Sequence, residues 1–559
     1  MSGTNYPIYA ERRFMKKILI IILAIFLAIA AIGAIAVLVV PDKPVDETPS
    51  TDSSTDTGSD LKPDTDTDID TDNGNDNDDG IGPQKPPIIL VEDVEELTTA
   101  LASVENGATI EIPSTIEIAE PLNVGNKEVT FIFSEDYDKT VSVELEEGKV
   151  TIMNGHFNGI DIGGKGTLIL ENVMSLATTE GDSGLALLDG ADITVKIVGN
   201  VSLTGAKDGD GIEVPYGTKL LLTGDSLVAV GNNGLEYLAI DGYGNTDDET
   251  YLNKRGSGIG NAVQNIGSLT IKDMASLTAK GYGNKAFGIG GGDKSVVTIE
   301  NTVIEYAKGG FAQDTFIAGD LSYGKQEAEG GCAIGVGCGV DGDYDSGILK
   351  MKNVTVKKAD GGSKSAAIGA LYWTAVDITI QNCDLDQITG GTASAGIGGS
   401  RVYKNVSKDQ YVKIFIDNSK INVLGGQYGA GIGSGYDCYC QSNYGVCYIE
   451  IIGEETEINA QGGINAAGIG TGHHSAGLAG YILPECKVTA KAGEMSIYEA
   501  TYTKPQDIGY GMCNPTNEFA NVALVFDIQG EAVEQPEFLP VVEEEDNTVP
   551  DVDDNIQEV

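Results

Sequence analysis

The segment Val340-Asp341-Gly342-Asp343-Tyr344-Asp345-Ser346-Gly347 sets three carboxylates two residues apart and ends on a glycine. Calcium takes several oxygen ligands from one tight loop, and Asp341, Asp343 and Asp345 are spaced to begin such a set. The distal bidentate glutamate of an EF-hand is missing at its expected offset, so that loop type is not implied; a polar turn is the competing reading. Asp208 with Asp210, and Asp247 with Asp248, repeat the pattern in shorter form. A second set of candidates is aromatic: Tyr344, Tyr372, Trp373, Tyr403, Tyr436, Tyr439 and Tyr444. Rings in a row can stack on the apolar faces of sugar units in an extended glycan, or they can cover an edge of the protein while their hydroxyls stay wet. His473-His474 is the remaining candidate. Neighbouring side chains of an extended chain point apart, so these two are expected as solvated loop residues and not as a two-histidine metal site.

All seven aromatics fall in segments that follow copies of one short motif, and the motif organises the chain. It reads Ser257-Gly258-Ile259-Gly260, Phe287-Gly288-Ile289-Gly290, Cys332-Ala333-Ile334-Gly335 and Ala366-Ala367-Ile368-Gly369. It continues as Ala395-Gly396-Ile397-Gly398, Ala430-Gly431-Ile432-Gly433, Ala467-Gly468-Ile469-Gly470 and Gln506-Asp507-Ile508-Gly509. A period of roughly 29 to 45 residues is the mark of a solenoid, propeller or array. Between copies lie two short alternating segments, such as Ile414-Phe415-Ile416-Asp417-Asn418 followed by Ser419-Lys420-Ile421. Alternation of apolar and polar residues marks strands with one buried face. No hairpin signal recurs between the two segments, so three strands per turn can coil and stack in parallel, about 4.8 Å apart. The isoleucines then lie over one another inside the coil. The corner residues Asp273, Asn301, Asn353, Asn382 and Asn418 are expected to turn inward and to hydrogen-bond as a ladder.

These features resemble the right-handed parallel β-helix, or pectin-lyase-like, superfamily, in a bacterial surface-protein type. The expected fold is an all-β, right-handed parallel β-helix solenoid over residues 87–530. Val91-Glu92-Asp93-Val94-Glu95-Glu96-Leu97, running on to Leu101, has apolar residues three or four apart and resembles that superfamily's short capping helix. The resemblance is specific for fold and weak for activity. Polysaccharide lyases and hydrolases use this fold, and Asn245-Thr246-Asp247-Asp248 resembles the Asn-Thr-Asp element of polygalacturonases. The Gly-His-Gly and Arg-x-Lys elements of that family are missing; Gly472-His473-His474 is the nearest sequence. A lone element does not supply the acid and base that hydrolysis needs.

The rest of the chain speaks to location. Residues 1–17 are basic, with Arg12, Arg13, Lys16 and Lys17, and 18–40 form an unbroken apolar run from Ile18 to Val40. That run is long enough to cross a bilayer as one helix. The charges on either side place the N-terminus in the cytoplasm. A signal peptide cleaved near Ala34-Ile35-Ala36 is the rival reading, and both export everything downstream. Residues 41–86 are an Asp/Thr-rich, disordered linker, and 531–559 an acidic, disordered tail. A formal charge of −49 opposes binding of nucleic acid or of polyanionic glycans. Of the eight cysteines, Cys438, Cys440 and Cys447 are expected to cluster in one insertion, with Cys332 and Cys338 flanking another motif copy. Cys383 reads as a small core residue.

Together these readings give a membrane-anchored, extracellular protein that binds polysaccharide or cell-wall glycan without catalysis, an adhesion role, through loops on one side of the solenoid, with calcium as the possible cofactor. The alternatives are a calcium-assisted polysaccharide lyase or glycoside hydrolase, and a structural surface spacer.

Overall fold

The computed structural model describes residues 88–234, 255–261, 266–292, 294–311, 330–337, 347–371, 374–400, 412–436, 447–475, 477–495, 504–512, 526–528 and 531–532. These form a parallel β-helix solenoid: three stacks of parallel strands with one short helix at the start. The first stack holds the Gly-Ile-Gly motifs. Its register runs Leu185, Ile212, Ile259, Ile289, Ile334, Ile368, Ile397, Ile432, Ile469 and Ile508, each paired with the next. Every one of these side chains is fully buried except the last, Ile508, which is half-buried. The isoleucine column is therefore the interior of the coil.

The second stack is the longest. Strands such as Val376–Gln381, Val412–Asp417 and Cys447–Ile452 alternate buried and half-buried residues without a break. Their inward columns align Ile378 with Ile414 and Ile449, and Ile380 with Ile416 and Ile451. Cys447 heads its strand at 3% exposure, paired with Val412 in the core, and so belongs to the coil instead of the insertion before it. Its place is set by alternation, since the Cys447-Tyr448-Ile449 step puts the small thiol on the same side as the isoleucine. The third stack includes Val303–Lys308, Asp384–Thr389, Lys420–Leu424 and Glu457–Gln461.

Second and third stacks meet at the asparagine corner, where the structure departs from expectation. Asn301 donates its amide to Asp273 at 2.8 Å, Asn353 to Asn301 at 2.8 Å and Asn382 to Asn353 at 3.3 Å. The ladder exists, but it lies on the exposed outside of the corner. The reason is backbone geometry. Each of these residues has positive φ, 48° at Asn301 and 53° at Asn353, the left-handed conformation that Asn tolerates better than most residues. That conformation turns the following residue inward instead: Met274, Thr302, Val354, Cys383 and Ser419 are all buried. Asn353→Ala is expected to cost about 1–2 kcal/mol in chemical denaturation, and Asn353→Gly clearly less, because glycine keeps the conformation and loses only the ladder.

The start of the described coil is closed by a helix. Helix α1 (Val94–Ser103) is capped by Asp93, which accepts from Glu96 N at 2.9 Å, while Glu96 accepts from Glu92 N at 2.9 Å. Leu97 and Ala100 bury the helix face, and Lys127 donates to the Leu101 carbonyl at 2.8 Å near the negative end of the helix dipole. Phe131, Phe133, Tyr137 and Phe157 fill the first coils, with Phe133 4.7 Å from Tyr137 and 4.9 Å from Phe157. Near the other end Gly480 takes the place of the column residue, and Phe526 sits beneath it, 1% exposed. No helix among the described residues is long and apolar enough to cross a membrane, and Ile18–Val40 lies outside them, as do the linker and all but the first two residues of the acidic tail.

The insertions themselves lie outside the described residues, which break off on either side of the motif strands. The described chain breaks off after motif strands between 261 and 266, 337 and 347, 371 and 374, 400 and 412, and 436 and 447. It also breaks off before them, between 234 and 255, 311 and 330, and 495 and 504. The asparagine corner is continuous through every coil from Ser268 to Lys491. Its ladder needs successive rungs in tight register, and that leaves the two corners beside the first stack as the places where extra chain can leave.

Candidate ligand-binding face

Position in the coil decides what each candidate side chain can do. Among the sequence-derived candidates, Asp341, Asp343, Asp345, Tyr344, Tyr372, Trp373, Tyr403, Tyr439 and Tyr444 lie outside the described residues, as do Asp247 and Asp248. Tyr436 is described and is only 9% exposed. Its ring packs 5.4 Å from Tyr428 and 5.3 Å from His473, so it is used in packing at the coil edge. His473 and His474 do not point apart. His474 has φ of +55°, a left-handed turn that swings the two rings to 4.0 Å between centroids. His473 is 4% exposed, and burial with the neighbouring His474 charge lowers its pKa to about 3.

Asp210 is likewise structural. It is 9% exposed and accepts from the Ser257 amide, while its own N–H donates to Ser183 Oγ at 3.1 Å. Ser183 in turn donates to Glu213 at 3.0 Å. Glu213 and Asp161 share the outer side of the first stack with Ala186 between them. Burial raises the pKa of both, and Asp182 adds to the effect on Asp161. Among the described residues, no three His, Cys, Asp or Glu side chains are grouped to hold a metal ion.

Around the motif the outer side of the first stack is also packed. Gly290 alternates with inward Ile289, and a Cβ on it would lie 2.8 Å from the Phe287 ring and 2.1 Å from the Gly335 carbonyl. Phe287, Cys332 and Leu371 form a small apolar cluster there, separate from the interior core. Leu371 carries the chain into Tyr372 and Trp373. Burial raises the pKa of the Cys332 thiol strongly, so it is unreactive as a nucleophile.

A set of open, chemically varied side chains lies on the outer face of the second stack. Phe415, Glu450 and Tyr481 occupy one column on three successive strands, and Tyr448 stands in the next column beside Glu450. They face outward because they alternate with buried Ile414, Ile416, Ile449, Ile451 and Ile482. Each is half-buried. Tyr448 donates its hydroxyl to Glu450 Oε1, and this bond raises its pKa to about 12. Burial raises the Tyr481 pKa, and the Glu450 charge and a hydrogen bond to that carboxylate add to it. The Tyr448 phenol thus holds the carboxylate in place, with Phe415 and Tyr481 on the neighbouring rungs.

Two rungs separate Phe415 from Tyr481, about 9.6 Å at the usual strand spacing. The span suits a pair of linked sugar rings. A carboxylate among the rings accepts hydroxyl or amine hydrogens while the rings take the apolar sugar faces. Sequence reasoning placed the aromatics in the insertions and passed over these. The signal was present: in Val412-Lys413-Ile414-Phe415-Ile416 an aromatic occupies an outward position of an alternating strand, where solvent-facing residues are usually polar. The insertions bearing Tyr403 and Tyr444 lead directly into the same two strands. The chain matches no protein family, no curated protein and no solved structure.

Proposed function

We propose that this chain is a non-catalytic glycan-binding protein of the right-handed, pectin-lyase-like β-helix type, tethered outside the cell by Ile18–Val40. Glycan is held across the outer face of the second stack, with Tyr403, Tyr439 and Tyr444 as further candidate contacts. The observation that carries this reading is the set Phe415, Tyr448 and Tyr481 around Glu450, aromatic side chains kept in outward positions by strand alternation. A rigid sheet presents such rings without an ordering cost at binding, which favours weak, extended, repetitive ligands. Asp341, Asp343 and Asp345 join the proposal as calcium ligands.

The test is a glycan array probed with the full-length protein, with and without chelator. Binding to one class of polysaccharide is expected, and Phe415→Ala with Tyr481→Ala should weaken it by about tenfold or more while circular dichroism stays unchanged. Undiminished binding in that variant would remove this face from the function, and a blank array would remove the function.

A further inference from the structure

We infer that the glycan bound on this face carries ammonium groups, as a deacetylated amino-sugar polymer does. The inference rests on the glycan reading above and adds the charge of the ligand. Three observations lead to it.

Glu450 sits in the middle of the aromatic column, not at its rim, so a sugar ring lying across Phe415 and Tyr481 brings its substituents to that carboxylate. Tyr448 turns its hydroxyl to Glu450, which directs that donor away from ligand. What the site then offers is carboxylate oxygen and the negative faces of aromatic rings. Both favour a cation over a neutral amide or a hydroxyl.

The surrounding charge points the same way. On the outer face of the strands from Val376 to Ile528, the described ionisable residues beside Glu450 are Asp377, Lys413, Asp417 and Asp527. Four carboxylates against one lysine leave these strands at −3, and the strand before them, Gly347–Lys352, adds the outward Lys350 and Lys352, three rungs from Glu450. The contrast with the third stack is instructive. There Lys280 and Lys308 stack directly, and Lys308 lies 4.3 Å over the Tyr282 ring while Lys358 lies 5.0 Å from that of Tyr306. In that patch the rings already face the protein's own cations. On the second stack Lys413 stands beside Tyr448 in register, but among the described residues no lysine lies over the Phe415 or Tyr481 ring, and that position is open to a ligand.

The long-range field agrees. A chain of net charge −49 concentrates polycations near its surface and repels polyanions, and the salt dependence of binding reports this directly.

The experiment compares chitosan oligosaccharides with fully N-acetylated chitin oligosaccharides of equal length, using the full-length protein at low and at high salt. Chitosan is expected to bind about tenfold tighter at low salt, with the advantage shrinking as salt rises. Glu450→Gln should remove the preference. Glu457→Gln, which deletes the same charge from the third stack, should keep it. Equal binding of the two oligosaccharides overturns the inference and leaves glycan binding standing. A preference that survives Glu450→Gln also overturns it, because the bulk charge of the chain is then sufficient. If neither oligosaccharide binds, the inference falls, and the array decides separately whether the glycan reading falls with it.

Discussion

Gly433→Ala costs the β-helix more than about 3 kcal/mol, whereas Gly107→Ala costs about 1 kcal/mol. Both glycines have positive φ, 138° and 84°, so both substitutions strain the backbone. They differ in what the new methyl group meets. At Gly107 nothing lies within 4 Å; at Gly433 the Cβ would stand 1.8 Å from the carbonyl oxygen of Gly470 on the next rung. That rung cannot retreat alone. Ile432 N donates to Gly468 O at 3.0 Å and Ser434 N to Gly470 O at 3.1 Å, one on each side of the clash. Opening the gap breaks both bonds and lifts Ile432 off Ile469 in the core. Stability in a stacked array is a sum of neighbour terms, so the damage should divide the coils at this rung. Urea melts with hydrogen exchange measure it. A Gly433→Ala cost close to that of Gly107→Ala would show that the coils are not packed as tightly as this column requires.

The glycine column also shows why the fold was legible from sequence. Isoleucine inside and glycine outside recur at each coil from Ile259 to Ile508, and each is required by contact with its own copies above and below. Such constraints are local, repeated and visible as a pattern. The strand columns through Ile414 and Ile449 were readable for the same reason. Less was legible where direction depends on a single backbone torsion. Asn353 and His474 both adopt positive φ; in one case the ladder moves to the outside of the corner, in the other two adjacent rings come together. Neither torsion has a composition signature beyond the general enrichment of Asn and His at positive φ. The candidate site divides likewise. Insertion aromatics draw attention by clustering in sequence, whereas Phe415, Tyr448 and Tyr481 are scattered over 67 positions of sequence and meet only through register.

Acidification from pH 7 to about 4.5 should loosen the coils around His473 and tighten those around Glu213. His473 titrates at about 3 in the folded chain, well below the ordinary 6.5, because burial and the His474 charge disfavour its cation. A depressed folded pKa means that stability is complete above 6.5 and is lost as pH falls from there toward 3. By pH 4.5 the loss approaches 2–3 kcal/mol. The carboxylates Asp161, Asp210 and Glu213 have the opposite sign. Burial raises each of their pKa values, for Asp210 well above the usual range, with the Glu213 charge adding to it. A raised folded pKa means stability that is complete below the unfolded value near 4 and is lost as pH climbs through the folded one. Lowering the pH therefore restores it. General relief of a −49 charge acts in that same stabilising direction on the whole chain, so loosening around His473 has to appear against the background. Hydrogen exchange, corrected for the intrinsic pH dependence of the amides, resolves the two regions as peptides covering Ile160–Glu213 and Tyr428–His474. Replacing His473 with Asn should abolish the acid loosening, and Asp210→Asn should reduce the acid tightening at the other end. Movement of both regions in the same direction would mean that bulk charge, and not these buried groups, sets the pH response.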